Sequence, residues 1–517
     1  MGLSTLGQRE WASPTDDEAP THLKPIHPRD FGYEQARHLL LRAGFGGTPS
    51  QIQTLAGWGP EKAVDYLLNY ESIPEDAGRE DAFDKDIMRP PTRAEQEAYR
   101  AAQRAQDENA LAQFRLRRQQ AQRQDRQQMG EVQRWWLEKM IESPRPFQEK
   151  MVLFWHGHFA TSYRTIENSY HMLKQNELFR AHAAGNFGEL LFQIIRDPAM
   201  LAYLDNNDSS KREPNENLAR ELMELFSLGE GAYSERDIKE GARALTGYTF
   251  EDDEFVFNEE NHDSGSKRIL GASGAMDGDD FCRAILGQRA CPEFIASKLY
   301  RFFARYVPTN PRDQDQDTRT IVRQLASTMI KAKYELRPVM RQLFLSEHFY
   351  HPSVVGEKIK SPTELVVGAV RSLNTPVRDL AILNDALNLM GQSLFYPPSV
   401  KGWDGGRAWI NTSTMFVRQN ILAFLLTGKK PVGYDALADE NKYDPTPLLD
   451  ALEKGDPGAS SDPGKVVDYM LRLTLGRAPQ HAHDTLTKFV DEHGGVRPPV
   501  VTGALLLVTA MPEYQLC

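Results

Sequence analysis

Helix-start signals recur along the whole chain, while the period-two alternation that a half-buried strand needs is scarce. Thr48-Pro49-Ser50-Gln51 has the form of a capping box with proline at the first helical position, followed by Ile52, Leu55 and Ala56 at helical spacing. Ser361-Pro362-Thr363-Glu364 repeats the device, with Leu365, Val366, Ala369, Val370 and Leu373 as its apolar stripe. Ser234 to Asp237 opens another helix carrying Ile238, Ala242 and Leu245, and Asp197-Pro198 starts a shorter one through Met200, Leu201 and Leu204. The best strand pattern is Thr249 to Phe257, with Phe250, Phe255 and Phe257, which suits one short hairpin. The pattern predicts an all-α fold: a predominantly helical, multi-helix core with at most a short β-hairpin.

Residues 93–140 hold no proline, one glycine, and many Ala, Gln, Arg and Glu, so summed propensity predicts one long polar helix as an insertion. Its apolar residues (Tyr99, Leu111, Phe114, Leu116, Met129, Val132) are too sparse for a coiled-coil seam. A partner-binding arm and a solvent-bridging helix both fit. The flank 74–92 is acidic and proline-marked, as a surface loop would be. The chain of 517 residues divides into an N-terminal extension (1–33), a main helical domain (34–430), a linker rich in Pro, Gly, Asp and Ser (431–464), and a C-terminal helical segment (465–517) formed by a pair over 465–494 and 501–511.

Composition narrows the function classes. Apolar residues at 40% are too many for global disorder, and a formal net charge of −11 without a basic stripe argues against nucleic acid as a partner. No apolar run approaches the ~20 residues of a membrane-spanning helix. Cys282, Cys291 and Cys517 form no C-x-x-C pair, and the expectation is buried thiols, with a Cys282–Cys291 bridge as the alternative. The first 20 residues lack the basic segment and apolar core of a secretory signal, so the cytoplasm is the default location and export stays open.

Four polar clusters stand out. In Met151 to Phe159, His156 and His158 lie at H-x-H spacing where a helix should end near Gly157. They could converge as metal ligands; alternatively, one closes the helix C-terminus as a cation and the other packs under aromatics. In Asn215 to Gly229, the apolar face Leu218, Leu222, Leu225 and Phe226 opposes Asn217, Arg220, Glu221 and Glu224. Paired carboxylates on one face can divide acid and base roles, whereas Glu216–Arg220 and Arg220–Glu224 at i, i+4 would form a solvated ladder. The turn Asn261 to Lys267 offers His262 as a ligand or base beside Asp263, or only an Asx-turn. The segment Phe395 to Asn411 joins Trp403 and Trp409 to Lys401, Arg407 and Asn411 with three glycines, a candidate sugar or peptide platform or a structural plug. Phosphate-loop, dinucleotide, nucleophile-elbow and H-E-x-x-H signatures are missing from the sequence.

The runs FWHGHF, NENLARELMELFSLG, DIKEGARALTGYTF, HDSGSK and FYPPSVKGWDGGRAWINTST, with His38 to Gly46, resemble the bacterial family called domain of unknown function 1800, in its planctomycete-like form. The resemblance extends from about residue 34 to the C-terminus, with the long polar helix as an insertion. It implies a bacterial source, a mostly helical fold, and a companion protein of a sulfatase-like uncharacterised family encoded nearby. It also implies that many relatives are exported, and it carries no mechanism. From the residues themselves, the leading expectation is a hydrolase with a His/carboxylate cleft, a divalent metal ion being one candidate cofactor. His156, His158 and His262 would be metal ligands; Glu221, Glu224, Arg220, Asp263 and Lys267 would be catalytic. Trp403, Trp409, Lys401, Arg407 and Asn411 would bind substrate. The alternatives are a non-catalytic scaffold binding a glycan, peptide or partner, and a metal-dependent oxidoreductase.

Overall fold

In the computed structural model, residues 19–75, 82–429 and 443–517 are described; residues 1–18 of the N-terminal extension, 76–81 of the expected surface loop, and 430–442, which include the start of the linker, lie outside them. The described residues form 23 α-helices and two small antiparallel sheets of two strands. The hairpin Tyr248–Glu251 with Glu254–Phe257 is the one expected; Lys267–Ile269 with Ala272–Gly274 is a second. The four helix-start signals cap as the sequence suggests, Thr48, Ser234 and Ser361 in reciprocal boxes and Asp197 through the Met200 amide.

The helix Pro146–His158 runs through the core. Phe147, Met151, Val152, Leu153, Phe154 and Trp155 are all buried, as befits a helix apolar on every side. Its polar residues are paired rather than exposed. Glu149 accepts two bonds from Arg180 (2.6 and 3.0 Å) and one from the Trp136 indole (3.0 Å). Lys150 donates to Glu364 at 2.7 Å. Burial of such groups is tolerated because each finds a charged or hydrogen-bonding partner.

The single long helix expected over 93–140 is instead two. Arg93–Ala105 ends at Gln106, whose φ of +52° is left-handed, and Glu108–Glu142 begins behind Asp107, whose carboxylate caps the Ala110 amide at 3.0 Å. The second helix folds back on the first, bringing Tyr99 edge-on to Phe114 with centroids 5.4 Å apart. Propensity summed over a window misses the break because one aspartate serves better as an N-cap than as an interior residue. From Asp125 onward the longer helix is core: Met129, Val132, Trp136 and Leu137 are fully buried. Only the hairpin's outer part is an arm.

Helix Thr446–Gly455 occupies part of the expected linker, and the C-terminal segment holds three helices rather than a pair: Pro463–Leu475, Gln480–Glu492 and Pro498–Thr509. One contiguous apolar core reaches from Leu23 to Tyr514. Cys282, Cys291 and Cys517 are buried free thiols.

Candidate functional site

Two residues apart on a helix at ~100° per residue, His156 and His158 point nearly opposite ways, and the structure sends them to different environments. His156 packs edge-on to Trp136 and beside Phe395 and Trp403, and its Nε2 accepts the Phe395 amide at 2.9 Å. His158 lies among Phe154, Phe159 and Phe226, with Nε2 3.0 Å from the Phe226 carbonyl. A carbonyl only accepts, so Nε2 carries the proton and Nδ1 keeps a free lone pair; Nδ1 is buried and has no partner. Burial takes both imidazoles down to about 3, with Lys298 adding to the effect at His158. Neither is therefore the charged cap at the helix C-terminus that the sequence allowed.

His158 lines a cavity of about 660 Å³, within the range of small-molecule sites. One wall is the helix Ala290–Phe303, contributing Phe294, Lys298, Arg301 and Phe302. The end of this helix is fixed by cations, since Arg42 donates to the carbonyls of Phe302, Phe303 and Ala304 and Lys358 donates to that of Phe302. Opposite it, the segment 400–409 supplies Lys401, Trp403, Asp404 and Trp409. Arg301 ties these walls together: it donates to the Asp404 carbonyl at 2.7 Å and to the Val307 carbonyl, and stacks 3.8 Å above the Tyr306 ring. Gly402 seats the loop on the histidine helix. Its φ is +77°, and a Cβ there would overlap the Gly157 carbonyl oxygen.

Lys298 is half-buried, its ammonium 5.2 Å from the Phe294 centroid. Burial first, and then the charges of Arg301 and Lys401, bring its amine down to about 8. Among the described residues, Lys298, Arg301 and Lys401 pair with no carboxylate. The cavity's other cation, Lys358, is bonded to Glu364 at 3.2 Å. Burial alone would raise Glu364, but Lys150 and Lys358 outweigh it and hold that carboxyl well below its usual range. Glu224, Glu230 and Asp313 also line the cavity, Glu224 accepting the Tyr233 hydroxyl at 2.6 Å.

Of the residues singled out from sequence, the cavity gathers His158, Glu224, Lys401, Trp403 and Trp409. Glu221 stands behind them, half-buried, its carboxyl raised by burial and by Glu224 and opposed by Lys401. Arg220 turns outward to Glu235 (3.0 Å) and Glu216 (3.2 Å), so only the first half of the expected ladder forms. Arg407 is exposed, and Asn411 caps the helix Thr412–Thr427. The Asn261–Lys267 turn is tied to the helix before it and to its own backbone. Asp263 is held by both arms of Arg243 (2.7 and 3.1 Å) and accepts the Gly265 amide in an Asx-turn. Lys267 donates to the carbonyls of Asp263 and Gly265, and His262 Nδ1 donates to the Thr246 carbonyl at 2.9 Å. Among the described residues no three His, Cys, Asp or Glu side chains form a metal-ligand set. The residues missed by sequence reasoning are Lys298, Arg301 and Glu364. The signal available for the first two was a basic pair at i, i+3 inside the apolar run Phe294 to Phe303.

Fold and cavity together define a helical protein with a ligand-sized chamber walled by aromatic and charged side chains of both signs. The chain belongs to the family described as Protein of unknown function (DUF1800), which matches residues 38–516. No curated protein and no solved structure matches it.

Proposed function

We propose that the cavity is the functional centre of the protein and that it binds a small hydroxylated carboxylic acid, of the size of a sugar acid. The observation that carries this reading is the wall of three cations, Lys298, Arg301 and Lys401, that have no carboxylate partner among the described residues. The positive charges of Arg301 and Lys401 disfavour the ammonium form of Lys298, and an anionic ligand relieves that repulsion. The carboxylates of Glu230 and Asp313 in the same lining are acceptors suited to ligand hydroxyls. Trp403 and Trp409 supply flat apolar surface for the carbon skeleton. Hydrolysis assisted by a metal on His156, His158 and His262 is not supported by these placements, because each histidine engages a different part of the fold.

Calorimetric titration with gluconate and glucuronate, beside their neutral parents sorbitol and glucose, tests the reading. The expected result is saturable binding of the acids over the neutral compounds, weakened by about tenfold or more in Lys401→Met, as loss of a charge-assisted bond predicts. Equal binding of acids and neutral parents, or no binding of either, overturns it.

A further inference from the structure

We infer that Lys298 is a covalent catalytic residue whose amine condenses with the carbonyl group of a 2-oxo acid held in the cavity. The inference rests on the reading of the cavity as a site for carboxylate ligands and adds the reacting group.

Four observations converge on this lysine. Its side chain lies in the cavity wall, without an ion pair among the described residues, while the neighbouring Lys358 and Lys150 are each bonded to Glu364. Arg301, one helical turn further on, and Lys401, from the facing loop, place two further positive charges close enough to disfavour the ammonium form. Phe294 and Phe302 restrict water on its own helix, and the amine is brought down to about 8, so a usable fraction is unprotonated near neutral pH. Finally, His158 lines the same chamber and feels the charge of Lys298.

The step balances without an oxidant or reductant. The unprotonated amine adds its lone pair to the carbonyl carbon, a C–N bond forms, and the carbonyl π pair moves to oxygen. That oxygen takes the proton that the adding nitrogen gives up, leaving a neutral carbinolamine. The nitrogen lone pair then expels the hydroxyl, which leaves as water with the proton that the ammonium form had released. From the ammonium form, the sum is one ammonium and one ketone giving one protonated imine and one water. The ligand's carboxylate would lie against Arg301 and Lys401, which is why a 2-oxo acid is the fitting carbonyl class. The protonated imine withdraws electrons from the adjacent carbon, the general route to carbon–carbon or carbon–hydrogen cleavage beside it.

The experiment is reductive trapping. Full-length protein is incubated with pyruvate or 2-oxogluconate and sodium cyanoborohydride, and adducts are mapped by peptide mass spectrometry. Lactate and gluconate, the carbonyl-free counterparts, are titrated in parallel by calorimetry. The expected result is an adduct on Lys298 formed about tenfold or more faster than on the exposed Lys62, each unit of lowered pKa being worth about that factor in free amine. Lys298→Arg, which retains the charge but has no amine able to form the imine, should lose the adduct. Binding of the hydroxy acids with no preferential trapping at Lys298 overturns the covalent role and leaves the anion site standing. Failure of both hydroxy and oxo acids to bind or react overturns both. Because site preference is read in the wild-type protein, a poorly folding variant does not blunt the test.

Discussion

Two groups of lysines face the same cavity and have opposite characters. Lys358, with Lys150 behind it, closes on Glu364, whose second oxygen accepts the Ser361 amide of its own capping box at 2.8 Å. Lys298 and Lys401 close on no carboxylate among the described residues. Burial is tolerated in the first group because the charges cancel within the protein; in the second, Lys298 is half-buried without such a partner and Lys401 is exposed. Within one chamber, some charges are paired inside the protein and others have no carboxylate partner among the described residues. The Asp263 turn belongs with the first kind: it looked reactive as a string of letters, but Arg243 and backbone groups already occupy its polar atoms.

The comparison breaks most readily at Glu364. Glu364→Gln leaves Lys150 and Lys358 buried without a counter-charge and should cost about 3–5 kcal/mol in denaturant unfolding. A loss below about 1 kcal/mol would mean that the triad is not what balances those lysines. Acid comes next. With His156 and His158 at about 3 in the fold and near 6.5 when unfolded, the unfolded chain binds more protons throughout that window. The stability they contribute is complete above pH ~6.5 and falls as pH drops, by up to about 1.4 kcal/mol per histidine per pH unit. Melting measured from pH 7.5 to 5 should show this decline, and a flat profile would contradict their neutral burial. Gly402→Ala should cost about 1–3 kcal/mol through its positive φ and the overlap with Gly157, and should weaken gluconate binding by shifting Lys401 and Trp403. The smallest effects sharpen the contrast. Lys298→Met and Asp263→Asn should each change stability by no more than about 1 kcal/mol, the first because no pair is lost, the second because the pair is near the surface. Only Lys298→Met should alter ligand binding.

What the sequence revealed follows from the range of the interactions. Capping boxes are complete within four residues, so Thr48, Ser234 and Ser361 announced their helices, and the aromatic alternation around Phe255 announced its hairpin. Half of the site was visible in the same way: Trp403, Trp409, Lys401, Glu224 and His158 stood out by type and spacing. Spacing did not reveal that His156 would be spent on the Phe395 amide, because that partner lies 239 residues away. Glu364 appeared only as the last letter of a capping box, since its partner Lys150 is 214 residues distant. Lys298 resembled any basic residue on an amphipathic helix until the fold brought the charges of Arg301 and Lys401 to bear on it.

The bond between His156 and Phe395 also bears on how the protein is made. His156, near the end of the central helix, and Trp136, from the helix before it, are covered by Phe395, and His156 also by Trp403. At ordinary synthesis rates a ribosome needs on the order of 10–50 s to add the intervening residues. Through that interval the nascent chain carries an apolar helix with its cover still unsynthesised. Such a chain depends on chaperones or on provisional packing within its own first half, and the cavity is among the last features to form.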